Sequence, residues 1–511
     1  MNTREIAPHG QEGRSRSDFW PRSRFYQGQY GRMLRELAPL RPWSDAQMDA
    51  YLGAVGEKER AGKGKTIPAG YTYFGQFIAH DITFNPVSTL TRLRDPVSIL
   101  SFRTPALDLD SLYGRGPKDS AYFYDRSEGE LTGRLSVGWG TGFREDDLPR
   151  LDGETAVALI GDPRNDENTM VSQLHLAFIK LHNRMLDEFK GDFARAQAET
   201  IWHYQWVILN DYLPRLCLKK VLDRIWASSK SEPMLMWFKW KNAPFIPLEF
   251  SGAALRFGHS MVRDAYALNY LKSVPIPLFG STSLGSLRGF RRLPRHWSVQ
   301  WDHFLPFEDA GARAVPQLSM PIDFELSASL MELPKEALTP DPQEPVETNL
   351  RKRNIARGFQ LELPSGQAVA RAIDAEHVLP LLGGVEDPLW IYVLREAQAC
   401  RSGSGLGEVG STIVAETLAG LIAGDPLSYL NVNRKWKPSL PSNGDFQLRD
   451  LIRAAGMPIV ADDLRRLPAF SEGAYDPRVK CLAEAERVRK AIEEMKKGEG
   501  GAIAVGSAHR A

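Results

Sequence analysis

"TMVSQLHLAFIKLHNRMLDEF", residues 169–189, places Val171, Leu174, Phe178, Leu181 and Met185 at alternating steps of three and four residues. That spacing lines one side of a helix with apolar groups, so the whole stretch is predicted helical. A second long helix is expected over 195–223. Further helices are expected at 367–382, 388–400 and 409–424, where "VGSTIVAETLAGLIAGDP" stops at Gly-Asp-Pro. Few segments alternate with period two, and a short hairpin within 126–155 is the exception. Residues 100–115 read as an extended loop ending in Tyr-Gly. The Pro-, Ser- and Gly-rich region 272–350 reads as loop. The fold class is therefore mainly α, with long loops, little β and no internal repeat.

Composition narrows the function classes. The 511 residues carry a formal net charge of +1, with 25% charged and 43% hydrophobic residues, an ordinary globular balance with ample length for a large core. A nucleic-acid binder usually shows a basic excess, which is absent here. No apolar run approaches the ~18 residues of a membrane span. The polar start, "MNTREIAPHGQEGRSRSDFWPRSRF", lacks the apolar core of a secretory signal. Cys217, Cys400 and Cys481 lie far apart without a CxxC, which argues against a disulfide framework or a thiolate metal site. These features lead us to expect a cytoplasmic protein, and they leave export by another route open.

Ten histidines are the obvious chemical groups. His9 and His509 lie in tails. His175 and His182 are seven apart on the 169–189 helix, share a side and lack an HExxH pattern, so they read as structural. His80 stands in "GYTYFGQFIAHDITFNP", residues 70–86, one helical turn after Gln76 and directly before Asp81. His259 stands in "ALRFGH", residues 254–259, with Arg256 three positions earlier. Each taken singly reads as a hydrogen-bonded core histidine.

Taken together with "GDPRNDEN" (161–168), "RTPALDLDSLYG" (103–114) and "LRKRNIARGFQLELPSGQAVA" (350–370), these stretches carry more. In this order they resemble the animal haem peroxidase family of the peroxidase–cyclooxygenase superfamily, most of all its bacterial branch. The likeness spans roughly residues 65–425. It implies a single large helical domain with haem between central helices: an N-terminal arm over 1–60, a catalytic core over 61–430, and a C-terminal helical extension over 431–511. That extension would pack on the core and end in a frayed tail.

The resemblance also implies roles. His259 would ligate the haem iron, with Asn354 receiving its second ring N–H and fixing its tautomer. Arg256 and Arg357 would meet the haem propionates, where a planar guanidinium suits a carboxylate. His80 would be the distal acid–base group, taking a proton from the near oxygen of peroxide and giving one to the departing oxygen. Gln76 would orient a small molecule beside it, and Arg164 would be a fixed cation aimed at the developing charge. The product would be a ferryl haem that oxidises a second small substrate. Asp81 diverges from the His80 face. In "TPALDLDS", Thr104, Ala106, Asp108 and Asp110 fall on one side of an extended backbone. With Asp81 they form an oxygen-rich cage suited to Ca²⁺.

Two departures matter. Relatives esterify haem through an acid directly before the distal histidine, and here that position is Ala79. Glu167 matches the second ester site, and Asn168 stands where one relative has a sulfonium-forming methionine. The expectation is haem b with at most one covalent ester, through Glu167. Dioxygenase relatives carry a radical tyrosine where this chain has Arg256. The expected function is thus a haem peroxidase using hydrogen peroxide and a small-molecule donor, phenol-type or halide. The alternatives are a fatty-acid dioxygenase of the same fold and a haem- or calcium-binding scaffold with little turnover. Oligomeric state is not legible.

Overall fold

A computed structural model describes residues 28–58, 67–84, 100–101, 103–127, 130–140, 145–151, 156–229, 232–241, 243–272, 274–280, 285–308, 315–335, 338 and 346–466. Residues 1–27 of the expected arm and 467–511 of the expected C-terminal extension fall outside them. The elements that position the site are α1 (Asp45–Lys58), α2 (Gly70–Ile82), α3 (Thr169–Glu188), α4 (Phe193–Val207), α5 (Leu350–Gln360), α6 (Gly366–Ala372), α7 (Leu389–Arg401) and α8 (Glu408–Gly424). Strands are short. Gly28–Gly31 pairs antiparallel with Leu100–Ser101 and parallel with Ile246–Pro247, and the expected hairpin joins Tyr124–Ser127 to Glu130–Leu135.

The core is built where apolar periodicity is strongest. In α3, Val171, Leu174, Phe178, Leu181 and Met185 are all fully buried. Asn168 caps this helix, its side chain accepting the Val171 N–H at 3.0 Å. Helix α2 lies against α3, where Phe77 stacks on Phe178 at 4.8 Å. Gly75 allows this approach on another side: a Cβ there would stand 2.3 Å from the Tyr212 hydroxyl. Helix α8 is buried along nearly its whole length, as its all-round apolar sequence requires. No helix among the described residues is long and apolar enough to cross a membrane.

One expected helix is interrupted, resuming over Lys219–Ile225, and another ends early. The helix expected over 195–223 stops being α-helical at Val207, continues as a π turn over Ile208–Tyr212, and breaks at Cys217. Pro214 supplies the reason, since it has no N–H to continue the ladder. The helix expected over 367–382 ends at Ala372, where Asp374 adopts a left-handed φ of 54° and the Ala375 N–H turns back to the Ala370 carbonyl. That is a helix stop made by a short polar residue, which apolar spacing does not signal.

Both chain ends of the described region are tied to the centre. Glu249, fully buried, accepts the main-chain N–H groups of Met33 and Leu34 at 3.0 Å each. Tyr51 of α1 bonds Asp387. Leu448, Leu451 and Ile452 bury completely in a short helix that meets α3.

Candidate active site

Helix α2 carries Gln76 and His80 one turn apart and packs directly on the 3₁₀ turn Ala254–His259, so the two histidines singled out by sequence belong to touching elements. His80 is 7% exposed. Its Nδ1 lies 2.8 Å from Asn165 Oδ1, and Asn165 Nδ2 lies 3.0 Å from Nδ1 of His175 on α3. Burial, then the charge of Arg164, lowers the His80 pKa to about 3. The ring is therefore neutral across the ordinary pH range and able to accept a proton.

Gln76 is held at both ends of its amide. Its Nε2 donates to Glu167, and its Oε1 accepts from Asn168 Nδ2 at 3.2 Å. The Glu167 Oε1 is 3.9 Å from His80 Nε2. Partial burial pushes the Glu167 carboxyl above its ordinary range, despite Arg164, while its side chain stays 37% exposed. The Asp166–Glu167 backbone is roofed by Gly289, whose N–H bonds the Glu167 carbonyl at 2.9 Å; a Cβ on Gly289 would stand 1.7 Å from the Asp166 carbonyl oxygen.

Arg164 is brought beside His80, but its guanidinium turns to the main chain. Nη2 donates to the carbonyl of His80 at 3.2 Å and to that of Thr83, and with Nε it grips the Asp162 carboxylate at 2.7 and 3.0 Å. It closes the C-terminal end of α2, where a cation is favoured. This differs from the expected aim at a reacting oxygen. Asp162 is fully buried and also accepts from Arg103 Nε at 3.1 Å.

On the other side, Asn354 of α5 places its Nδ2 3.0 Å from His259 Nδ1, and Arg256 Nη1 donates to Asn354 Oδ1 at 3.3 Å. Burial and then the Arg357 charge lower the Arg256 pKa to about 10. Burial and then Arg353 lower that of Arg357. Three guanidiniums thus crowd one region. Beside them, Gly258 has no heavy atom within 4 Å of where a Cβ would stand.

The acidic group also assembles. The carboxylates of Asp81, Asp108 and Asp110 lie within 4.8 Å of one another. Thr104 Oγ1 donates to both oxygens of Asp108 at 3.0 Å, Ala106 is fully buried in the same loop, and Arg103 Nη1 reaches Asp110 at 3.2 Å. Asp81 Oδ1 is buried and accepts no hydrogen bond of normal geometry, although the Tyr204 phenol is near. Burial, then Asp108 and Asp110, drive the Asp81 pKa well up.

Residues 91–278 match the family described as animal haem peroxidase. That stretch is similar to an animal haem peroxidase domain. The match includes the acidic loop, the 162–168 turn and His259. Among curated proteins, "Heme peroxidase 2" of Caenorhabditis elegans is 27% identical over 112 residues, which is 20% of this chain and 16% of that protein's length. The fold matches peroxidase A of Dictyostelium discoideum, with a TM-score of 0.54 at 16% identity over 89% of this chain and 97% of that one. It also matches a fatty acid alpha-dioxygenase of Arabidopsis thaliana, with a TM-score of 0.50 at 16% identity over 84% of this chain and 76% of that one. The mainly helical peroxidase fold expected from the sequence is thus the one observed.

Sequence reasoning missed Asn165, Asp162, Arg103 and the link from His175 to His80. Arg103, Asp162 and Asn165 stood inside quoted motifs, but only the fold shows that Asn165 bonds His80 and that Asp162 joins Arg103 to the Arg164 that bonds the His80 carbonyl.

Proposed function

We propose that this chain is an animal haem peroxidase that binds haem b between His80 and His259 and uses it to reduce hydrogen peroxide while oxidising a small donor. The observation that carries the reading is the pair of histidines on touching elements, each with its Nδ1 engaged by an asparagine. The chemistry of the residues on the His259 side suits the group. Arg256 and Arg357 crowd together beside open space at Gly258, which suits two propionates. On the His259 side, the Asn354 amide is held at both ends, its Nδ2 facing ring Nδ1 at 3.0 Å and its Oδ1 accepting from Arg256, which fixes the ring's orientation and differs from the expectation that Asn354 receives the ring N–H.

When bound, haem supplies the electrons that break the peroxide O–O bond and recovers them from the donor. His80 Nε2 takes the proton from the near oxygen and returns it to the departing one, while Gln76 and Glu167 border the same space. Glu167 is the group for a single ester link, since Ala79 has no carboxyl. The purified protein is expected to show a Soret band that shifts on adding peroxide. His259→Ala is expected to abolish the band, and acid–acetone extraction to reveal at most one haem–protein bond by mass spectrometry. A folded His259→Ala protein with a full Soret band would sink the ligand assignment. Oxygen uptake with linoleate and no peroxide would favour the dioxygenase reading instead.

Ca²⁺ is proposed at Asp81, Thr104, Ala106, Asp108 and Asp110, where the orphaned Asp81 oxygen and the clustered carboxylates call for a cation. The pH sign follows from the raised Asp81 and Asp110 pKa values. Without metal, the folded state holds extra protons, so stability falls as pH rises through the raised values. A bound cation replaces those protons. EDTA is therefore expected to lower the melting temperature more at pH 8 than at pH 5, with Ca²⁺ restoring it. An equal effect at both values would count against the site.

A further inference from the structure

One amide joins two imidazoles in this fold. Asn165 is fully buried and His175 is 1% exposed, so both contacts of the Asn165 side chain are closed to solvent. An oxygen facing His80 Nδ1 at 2.8 Å requires an N–H there and leaves the lone pair on Nε2, the atom nearest Glu167. A nitrogen facing His175 Nδ1 at 3.0 Å requires the reverse, a lone pair on Nδ1. Turning the amide over would swap both tautomers at once. The turn that carries Asn165 is pinned on either side: Arg164 bonds the His80 carbonyl, and Asp166 takes a two-pronged contact from Arg150 at 2.6 and 2.7 Å.

We propose that Asn165 is a positioning residue that sets the tautomer of His80, with His175 on α3 as the second anchor that keeps the amide from turning over. The proposal rests on the reading of His80 as the acid–base group, whose Nε2 must carry a lone pair before it can take a proton from peroxide. It also gives His175, which looks structural in the sequence, a part in the site at one remove.

The test uses the full-length protein with ¹⁵N-labelled histidine in its diamagnetic ferrous carbon monoxide form, together with stopped-flow mixing with hydrogen peroxide. The wild-type His80 ring is expected to report N–H at Nδ1 and a bare Nε2. Asn165→Leu is expected to move that pattern and slow the bimolecular peroxide reaction by about 10–100-fold, the usual scale for a group that orients a reactive histidine. Asn165→Asp keeps an acceptor for His80 and should restore the pattern and lose less rate than the leucine variant. His175→Phe fills the space without a lone pair and should shift the His80 pattern, even though Asn165 stands between the two rings. Should Asn165→Leu fail to fold, the aspartate and phenylalanine variants decide by the same criteria. An unchanged His80 pattern and wild-type rate in Asn165→Leu overturn the proposal, as does an aspartate variant as impaired as the leucine one. If His80→Ala itself reacts at the wild-type rate, it is the acid–base reading that fails. If His80→Ala is slow and Asn165→Leu is not, only this inference falls.

Discussion

His80→Ala is expected to slow the reaction of the ferric protein with hydrogen peroxide by about 10²–10⁴-fold, the range typical of a lost general acid–base group, while the Soret band persists. The imidazole is buried, and its pKa is lowered to about 3, first by burial and then by Arg164. It is therefore an unprotonated base at every pH where the enzyme would work. The variant removes that base and leaves the groups around it. Asn165 keeps its bond to His175, Gln76 stays bound to Glu167, and Arg164 still has the main-chain carbonyl of residue 80. His259 and Asn354 lie on other elements, so haem retention is a separate observable. A variant that reacts with peroxide as fast as the wild type would mean that the proton moves elsewhere, with Glu167 the next group to examine.

The largest stability effect is expected at Asp162. Its carboxylate is fully buried between Arg103 and Arg164 and accepts the Arg164 N–H as well, at 2.9 Å. Burial alone would raise its pKa; the hydrogen bonds and charge of Arg164, then the charge of Arg103, outweigh it and hold the carboxyl well below the usual range. Asp162→Ala strips the shared counter-charge from two guanidiniums, one of them 8% exposed. Breaking a buried pair from one side typically costs about 3–5 kcal/mol, so urea unfolding at pH 7 should show a loss of that size. A depressed carboxyl pKa contributes stability above its unfolded value and loses it as pH falls. The gap between wild type and variant should therefore narrow below about pH 4. Equal midpoints at pH 7 would show that the pair contributes nothing.

The parts legible in the sequence were those that repeat or recur locally. Helix α3 declares itself by apolar spacing, and α7 and α8 start and stop within a residue of expectation. The helix after α3 is interrupted, because a π turn and Pro214 break an otherwise plausible pattern that resumes over Lys219–Ile225. His80, His259 and Asn354 were reachable because each sits in a compact motif. Asn165 was not, because its partner His80 sits on a helix 85 residues away in sequence, nor was Asp162, whose partner Arg103 lies on a separate loop. Periodicity says nothing about which distant carbonyl a guanidinium will find. The same limit applies to Arg164: its motif position suggests a role at the reacting oxygen, while its hydrogen bonds tie it to the end of α2.

Arg164 grips position 80 through the peptide oxygen, an atom that every amino acid possesses. Shortening the side chain there should thus carve a small, bounded vacancy in an otherwise intact wall. Such a hollow is a natural berth for free imidazole dissolved in the buffer, which would arrive beside Asn165 with a ring nitrogen to offer it. Millimolar imidazole should then return part of the lost peroxide reactivity to the truncated protein in a saturable way, and bulkier substituted azoles should help less.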